Sequence, residues 1–301
     1  MASHLQRLIK QQLITDAPPF LAGAVQYEVV MGSVAYGVNT DASDFDLYGF
    51  AIAAKEDCFP HLRGEVPGFD PCEPGFQHYQ KHHIQDAQAN GGKGREYDVT
   101  VYAIAKYFRL LSENNPNIID SLFVPHNCVL HCTPIGAMVR DRRTLFLHKG
   151  CWPKFKGYAY GQIKKIRSKT PVGKRKAIVD EFGYDVKFAY HVVRLLNEVE
   201  QIMLEHDLDL QRNAEQLKAI RRGEWTLDRL EQFFVQKEQH LETLYSNCDL
   251  PAKPPMDAIR QLLLDCLEQY YGTLAQAVSR QDGNARAISE IRQIMQRLDK
   301  G

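Results

Sequence analysis

The chain has 301 residues, 44% of them apolar, enough for a buried core and for two domains of ordinary size. Its 37 basic and 37 acidic residues cancel, which excludes a protein that coats polyanions by bulk charge but leaves room for a local basic patch. Seven scattered cysteines, an odd number with no Cys-x-x-Cys pair, argue against a disulfide framework and for a reduced, cytoplasmic protein.

Met1 to Gln12 reads as an amphipathic helix with Leu5, Leu8, Ile9 and Leu13 on one face. It lacks the apolar centre of a signal peptide, and no apolar run approaches membrane-spanning length. To about residue 130, strand and helix signals alternate. Strands are expected over Val25–Met31, Phe45–Ala53 and Glu96–Val101, the last with Tyr97, Val99 and Val101 on one side and Asp98 and Thr100 on the other. Between the second and third lies a long irregular stretch, Lys55–Gly94, rich in Pro, Gly, His and aromatics. Loops of that length inside a domain usually carry function or a short hairpin. Helices follow over Ala103–Glu113 and Ile118–Leu122, separated by a Pro116 turn.

From about Thr133 strand signals nearly vanish. Helical periodicity covers Ile135–Val139, Phe155–Ser168, Asp180–Glu205, Ala214–Ile220, Leu227–Tyr245 and Met256–Ser279, with Pro and Gly breakers between. The expected architecture is α+β: a small mixed-sheet domain over residues 1–130, then an all-helical domain over 131–301.

The chemistry concentrates at Gly32-Ser33 and Asp44-Phe45-Asp46. Aspartates at i and i+2 on an extended segment share a face and raise each other's pKa unless a cation, a proton or a basic side chain intervenes. A Gly-Ser turn after a strand offers backbone N–H groups and a hydroxyl to phosphate. Asp98, on the polar side of a separate strand, joins the pair if the two strands are neighbours. Three convergent carboxylates suit two hard divalent ions, which stabilise the attacking and leaving oxygens of an in-line phosphoryl displacement. Alone, an Asp-x-Asp pair is common on protein surfaces. Residues 41–46 also resemble a calcium loop, but without the Gly and distal Glu of an EF-hand.

In the helical half, Tyr184, Lys187, His191, Arg194 and Glu198 fall three or four apart and form one polar stripe. Such a stripe either faces a cleft, where it holds triphosphate oxygens, or is a solvated helix face with Lys187 near Glu181 or Asp185. Pro153 to Lys176 is rich in Lys and Arg without an acid, and Phe155, Tyr158 and Tyr160 are interleaved. This mixture suits an RNA backbone and its bases, or is an exposed Lys-rich helix. His126, Cys128, His131 and Cys132 match no standard zinc spacing and read as a strand end with a buried Cys. Gly91-Gly92-Lys93-Gly94 lacks the spacing and hydroxyl of a P-loop and reads as a flexible turn.

Gly-Ser followed about ten residues later by Asp-hydrophobic-Asp resembles the signature of the DNA polymerase beta-like nucleotidyltransferase superfamily. The longer pattern Gly-Ser-x-x-Tyr-Gly-x-x-x-x-x-Ser-Asp-x-Asp-x-x-Gly over residues 32–49 resembles its RlaP-like, RNA-repair-associated family. So do Asn115-Pro116-Asn117 before Asp120-Ser121-Leu122-Phe123, and Gly183-Tyr184-Asp185-Val186-Lys187 before His191 and Arg194. The resemblance implies transfer of a nucleoside monophosphate from an NTP, with release of pyrophosphate and RNA as the acceptor. It implies Mg2+ or Mn2+ on Asp44, Asp46 and Asp98, with Asp98 also favouring acceptor deprotonation. It implies nucleotide contacts from Gly32, Ser33, Ser43, Lys187, His191 and Arg194. Rival readings are an NTP sensor on the same fold, and an enzyme that modifies a protein or a small molecule. Nothing in Lys55–Gly94 maps onto a superfamily motif.

Overall fold

The computed structural model describes residues 2–40, 43–66, 68–69, 71, 75–168, 170–273, 275, 278 and 291, the side chain of residue 174 excepted. A helix at His4–Lys10 (α1) and a single turn at Leu21–Ala24 (α2) precede the first strand, Val25–Val30 (β1). Next come a turn at Gly32–Ala35 (α3), the strand Phe45–Ala51 (β2) and a turn at Lys55–Cys58 (α4). A strand at His78–Asp86 (β3), a turn at Ala89–Gly92 (α5) and the strand Arg95–Ala103 (β4) follow. Helices Ile104–Ser112 (α6) and Pro116–Phe123 (α7) then lead to a last short strand, Val129–Cys132 (β5). Beyond it the described chain is helical: Pro134–Asp141 (α8), Cys151–Ser168 (α9), Lys174–Phe182 (α10), Val186–Glu205 (α11), Ala214–Arg221 (α12), Leu227–Asn247 (α13) and Met256–Tyr271 (α14).

The five strands form one mixed sheet in the order β3-β4-β2-β1-β5. β2 and β4 run parallel, and every other neighbour is antiparallel. Period-two alternation sorts apolar side chains to both faces. On one face Leu47, Tyr97, Val99 and Val101 pack with Leu5 and Leu8 of α1. On the other, Tyr27, Val29, Phe50 and Ile52 belong to a buried cluster that continues through α6, α7, α9 and α11 to α13 and α14. The expected α+β architecture, a mixed sheet followed by helices, is the observed one. Among the described residues no helix is long and apolar enough to cross a membrane.

Three expectations change in detail. The stretch Lys55–Gly94 contains β3, a nine-residue edge strand paired antiparallel with β4. The helix expected over Asp180–Glu205 is two helices. Gly183, at φ +79°, ends α10, and the Asp185 carboxylate caps α11 by accepting from the Lys187 and Phe188 N–H groups. The helix expected to Ser279 is described only to Tyr271, and half of its remainder lies outside the described residues.

Two buried charges tie these layers together. Glu28, fully buried on β1, accepts hydrogen bonds from the His4 and Leu5 N–H groups and so caps α1 against the back of the sheet. On the other face Arg194 of α11 meets Asp120 of α7, Glu198 one turn further along, and the Tyr36 hydroxyl just after α3. All four side chains are buried. The Tyr36 hydroxyl in turn donates to Asp120 over 2.8 Å, and the guanidinium lies 4.4 Å from the Tyr36 ring centroid. Burial, which outweighs the attraction of Arg194, pushes the Glu198 carboxyl well above its usual range. Replacing Arg194 by Ala leaves two buried acids without a cation. The expected loss is about 3–5 kcal/mol, read as a fall on the order of 10 °C in thermal unfolding. An unchanged melting temperature would refute the structural role assigned to this arginine.

Candidate active site

β1 ends at Val30, and at Gly32 the chain turns into α3 with φ +62°, a conformation that disfavours any residue with a Cβ. Space makes the same demand. A Cβ at Gly32 would lie 1.9 Å from Asp46 Oδ2, so this backbone sits directly against a carboxylate of β2. A hydrogen bond from Met31 N to Asp46 O, 2.7 Å, holds the turn to the strand. Ser33 follows half-buried, and its carbonyl accepts from Val38 N.

Parallel pairing of β2 and β4 sets Asp46 opposite Asp98 in register. Adjacent strands lie roughly 5 Å apart, so the two carboxylates stand side by side on the face that looks toward the helical layer. Asp44, exposed just before β2, adds a third negative charge. Burial, then the charges of Asp98 and Asp44, push the Asp46 carboxyl up to about 6, although Lys187 and His82 pull the other way. Asp44 and Asp98 thus lie close enough for their charges to act on Asp46. Hard, mutually repelling oxygen donors suit a divalent ion such as Mg2+ or Mn2+.

Asp98 is held from the side by β3. The register between β3 and β4 shifts between Lys81 and Ile84, and His83 takes φ +58° within that bulge. The bulge turns the His83 N–H onto Asp98 Oδ1 at 2.8 Å and sets His82 Nδ1 3.1 Å from Oδ2. His83 Nδ1 in turn lies 2.5 Å from Glu96 Oε1, which raises the His83 pKa. The ligand atoms of His83, Glu96 and Asp98 lie within 4.8 Å of one another, the set among the described residues whose spacing could hold a metal ion. Both histidines fall in the stretch Lys55–Gly94 that the sequence marks as irregular. The signal available there was a pair of histidines at the centre of a polar, strand-length run.

A cavity of about 410 Å³ opens between this corner of the sheet and α11. Gly32, Ser33, Ser43, Asp44 and Asp46 line one side, and Lys187, Tyr190, His191 and Arg221 the other. Lys187 is exposed, and the His191 ring lies 4.1 Å from that of Tyr190. Burial, then the charges of Arg194, Lys187, Arg175 and Lys165, hold the His191 pKa well below its usual value, so it enters the site as a neutral imidazole. Arg221, which donates to the Val38 carbonyl, was not anticipated; it ends α12, far along the chain from the other lining residues, and only the fold brings it here. Arg194 corrects an expectation. It lies one turn beyond His191 on α11, but it is buried in the ion network with Asp120 and Glu198 and does not line the cavity.

Four of the nine cations of the basic segment 154–176 are paired with acids outside it. Lys156 pairs with Glu238 and Glu242 of α13, Arg167 with Glu231, Arg175 with Asp185 and Lys154 with Glu113. Of its aromatics, Phe155 is core and Tyr160 donates to Glu238. Lys169 lies outside the described residues. Cys128 is buried beside β5, and His131 bonds to the Val25 carbonyl, as a strand end requires.

One solved structure similar to this chain is a nucleotidyltransferase-like protein from Exiguobacterium sibiricum 255-15. It is 9% identical, with 82% of this chain and 75% of that chain covered, at a TM-score of 0.27, a loose likeness on which nothing further rests. No protein among those of curated function matches. The family model described as RlaP, RNA repair pathway DNA polymerase beta family, matches residues 2–277, nearly the whole sequence. With the glycine turn, the paired aspartates and the facing helix in place, the chain belongs to that family, whose members are DNA polymerase beta-like nucleotidyltransferases.

Proposed function

We propose that this chain moves a nucleoside monophosphate from an NTP to an acceptor hydroxyl and releases pyrophosphate. The observation that carries this reading is the in-register Asp46–Asp98 pair, with Asp44 beside it, packed against the Gly32 turn at the mouth of a nucleotide-sized cavity. Gly32, Ser33 and Ser43 lie on the wall suited to the β- and γ-phosphates. Lys187 and Arg221 supply cations across from them, and the paired Tyr190 and His191 rings offer a flat, neutral surface to sugar or base.

Asp44, Asp46 and Asp98 would hold Mg2+ or Mn2+, which supplies charge neutralisation for the reacting oxygens. In the transfer, the acceptor oxygen forms a bond to the α-phosphorus. The bond from that phosphorus to the bridging oxygen breaks, and its electron pair leaves with pyrophosphate. Asp98 favours loss of the hydroxyl proton, and the His82 imidazole 3.1 Å away is placed to take it on. An RNA end as acceptor is supported by the family's description as an RNA repair pathway family.

Asp46→Asn separates chemistry from stability. The native carboxyl is raised from 3.8 to about 6, so the folded state binds its proton more tightly than the unfolded chain does. The stability this contributes is present below about pH 4 and lost as pH rises through 6. The Asn variant should therefore gain ~2–3 kcal/mol over the parent at pH 7.5 without metal, lose that gain at pH 4, and release no pyrophosphate. Pyrophosphate release at the parental rate would sink the assignment. Gly32→Ala should abolish NTP binding measured by calorimetry, because its methyl must displace Asp46. Lys187→Ala, on an exposed side chain, should raise KM for NTP on the order of tenfold and leave the melting temperature unchanged.

A further inference from the structure

A second polar cavity, of about 460 Å³, adjoins the first. The two share Thr40, Ser43 and Asp44, so Asp44 lies on the wall between them. The second does not touch Gly32, Ser33 or Lys187. Its remaining polar lining comes from Asn39, from Gln85 at the end of β3, and from Asn90, Lys93, Arg95 and Glu96 around the start of β4. Neither the nucleotide reading nor the family motifs use these residues.

We propose that this cavity is the acceptor site, and that it takes a hydroxyl-bearing acceptor of nucleotide size which also carries a phosphate. The inference rests on the nucleotidyltransferase reading and adds to it the acceptor's position and chemistry. Position comes from the shared wall. In-line displacement requires the acceptor to approach from the side opposite to the departing pyrophosphate. With the Gly32-Ser33 turn in the first cavity, the acceptor's place is across Asp44, in the second.

Charge supplies the phosphate. Lys93 is exposed, and the Arg95 guanidinium lies 4.6 Å from the Phe45 ring centroid, held flat without an ion-pair partner among the described residues. Of the two acids in this lining, Glu96 is engaged by Gln85 and His83, and Asp44 stands on the wall shared with the first cavity. Lys93 and Arg95 supply the cavity's two cations. Arg95 and Asp98, three residues apart on β4, point to opposite faces of the sheet, so the cavity meets the carboxylate cluster at Asp44 rather than along the strand. A phosphate at Lys93 and Arg95 and a hydroxyl at the Asp44 wall leave the rest of the cavity for a sugar. The cavity's volume suits a single phosphorylated sugar.

The test is calorimetry on the full-length protein with Mg2+, with and without a non-hydrolysable NTP analogue. The titrants are AMP, adenosine, and an oligoribonucleotide with and without a 5′-phosphate. The phosphorylated member of each pair should bind at least tenfold more tightly. Lys93→Ala and Arg95→Gln together should reduce that preference below threefold while the NTP analogue's Kd stays unchanged. Lys93→Ala alone, on an exposed side chain, should still reduce the preference if the double variant is unstable. Tight AMP with a weak oligonucleotide assigns a free nucleotide, and the reverse assigns an RNA terminus; either supports the site. Equal binding of phosphorylated and unphosphorylated titrants, no binding of any, or a preference untouched by Lys93→Ala overturns it. Failure of the analogue to bind, with the AMP preference intact, counts against the nucleotidyltransferase reading instead.

Discussion

The dimensions of the cavity between the glycine turn and α11 depend on Arg194. This one buried cation joins the residue after the glycine turn, Tyr36, to α7 through Asp120 and to the middle of α11 through Glu198. Those are the elements on either side of the cavity: the turn carries Gly32 and Ser33, and α11 carries Lys187, Tyr190 and His191. A buried ion network contributes little net stability compared with apolar packing, because desolvation offsets the attraction. What it contributes here is geometry. An apolar contact tolerates sliding, whereas a guanidinium between two carboxylates and a phenol has one arrangement that leaves no acid unpaired.

On the sheet side, position follows from strand direction. β2 and β4 are adjacent and parallel, so aspartates from two separate parts of the chain fall into register at Asp46 and Asp98. Repulsion between them is built into the fold, and it adds to burial in raising the pKa of Asp46. The helical layer then sorts its groups by burial. Lys187 remains exposed and cationic, while His191 is stripped of its charge by desolvation and by the cations around it.

Much of this was legible in the sequence because it depends on local pattern. Period-two alternation located β1, β2 and β4 and put Asp98 on the polar side of its strand. The glycine turn and the aspartate spacing located the site. What was hidden depends on pairing at long range. Arg194 shows its charge in the sequence but not Asp120, 74 residues away, which takes it out of reach of a ligand. The basic segment showed nine cations but not the glutamates of α13 that neutralise several of them. β3 escaped because its residues are mostly polar and its alternation is interrupted at His82 and His83. The break before α11 was legible in principle, since Gly183 and Asp185 are a helix end and a helix cap two residues apart.

The irregularity in β3 also bears on solubility. β3 is an edge of the sheet, and a regular edge strand invites the edge of a neighbouring molecule to add to it. With Lys81 tied to Asp16 and His83 forcing a left-handed kink, the outer hydrogen-bonding row is discontinuous midway along its length. The same distortion that turns two histidines toward Asp98 therefore works against strand-to-strand self-association. Straightening β3 would disturb the carboxylate site and, at the same time, offer the protein a route to aggregation.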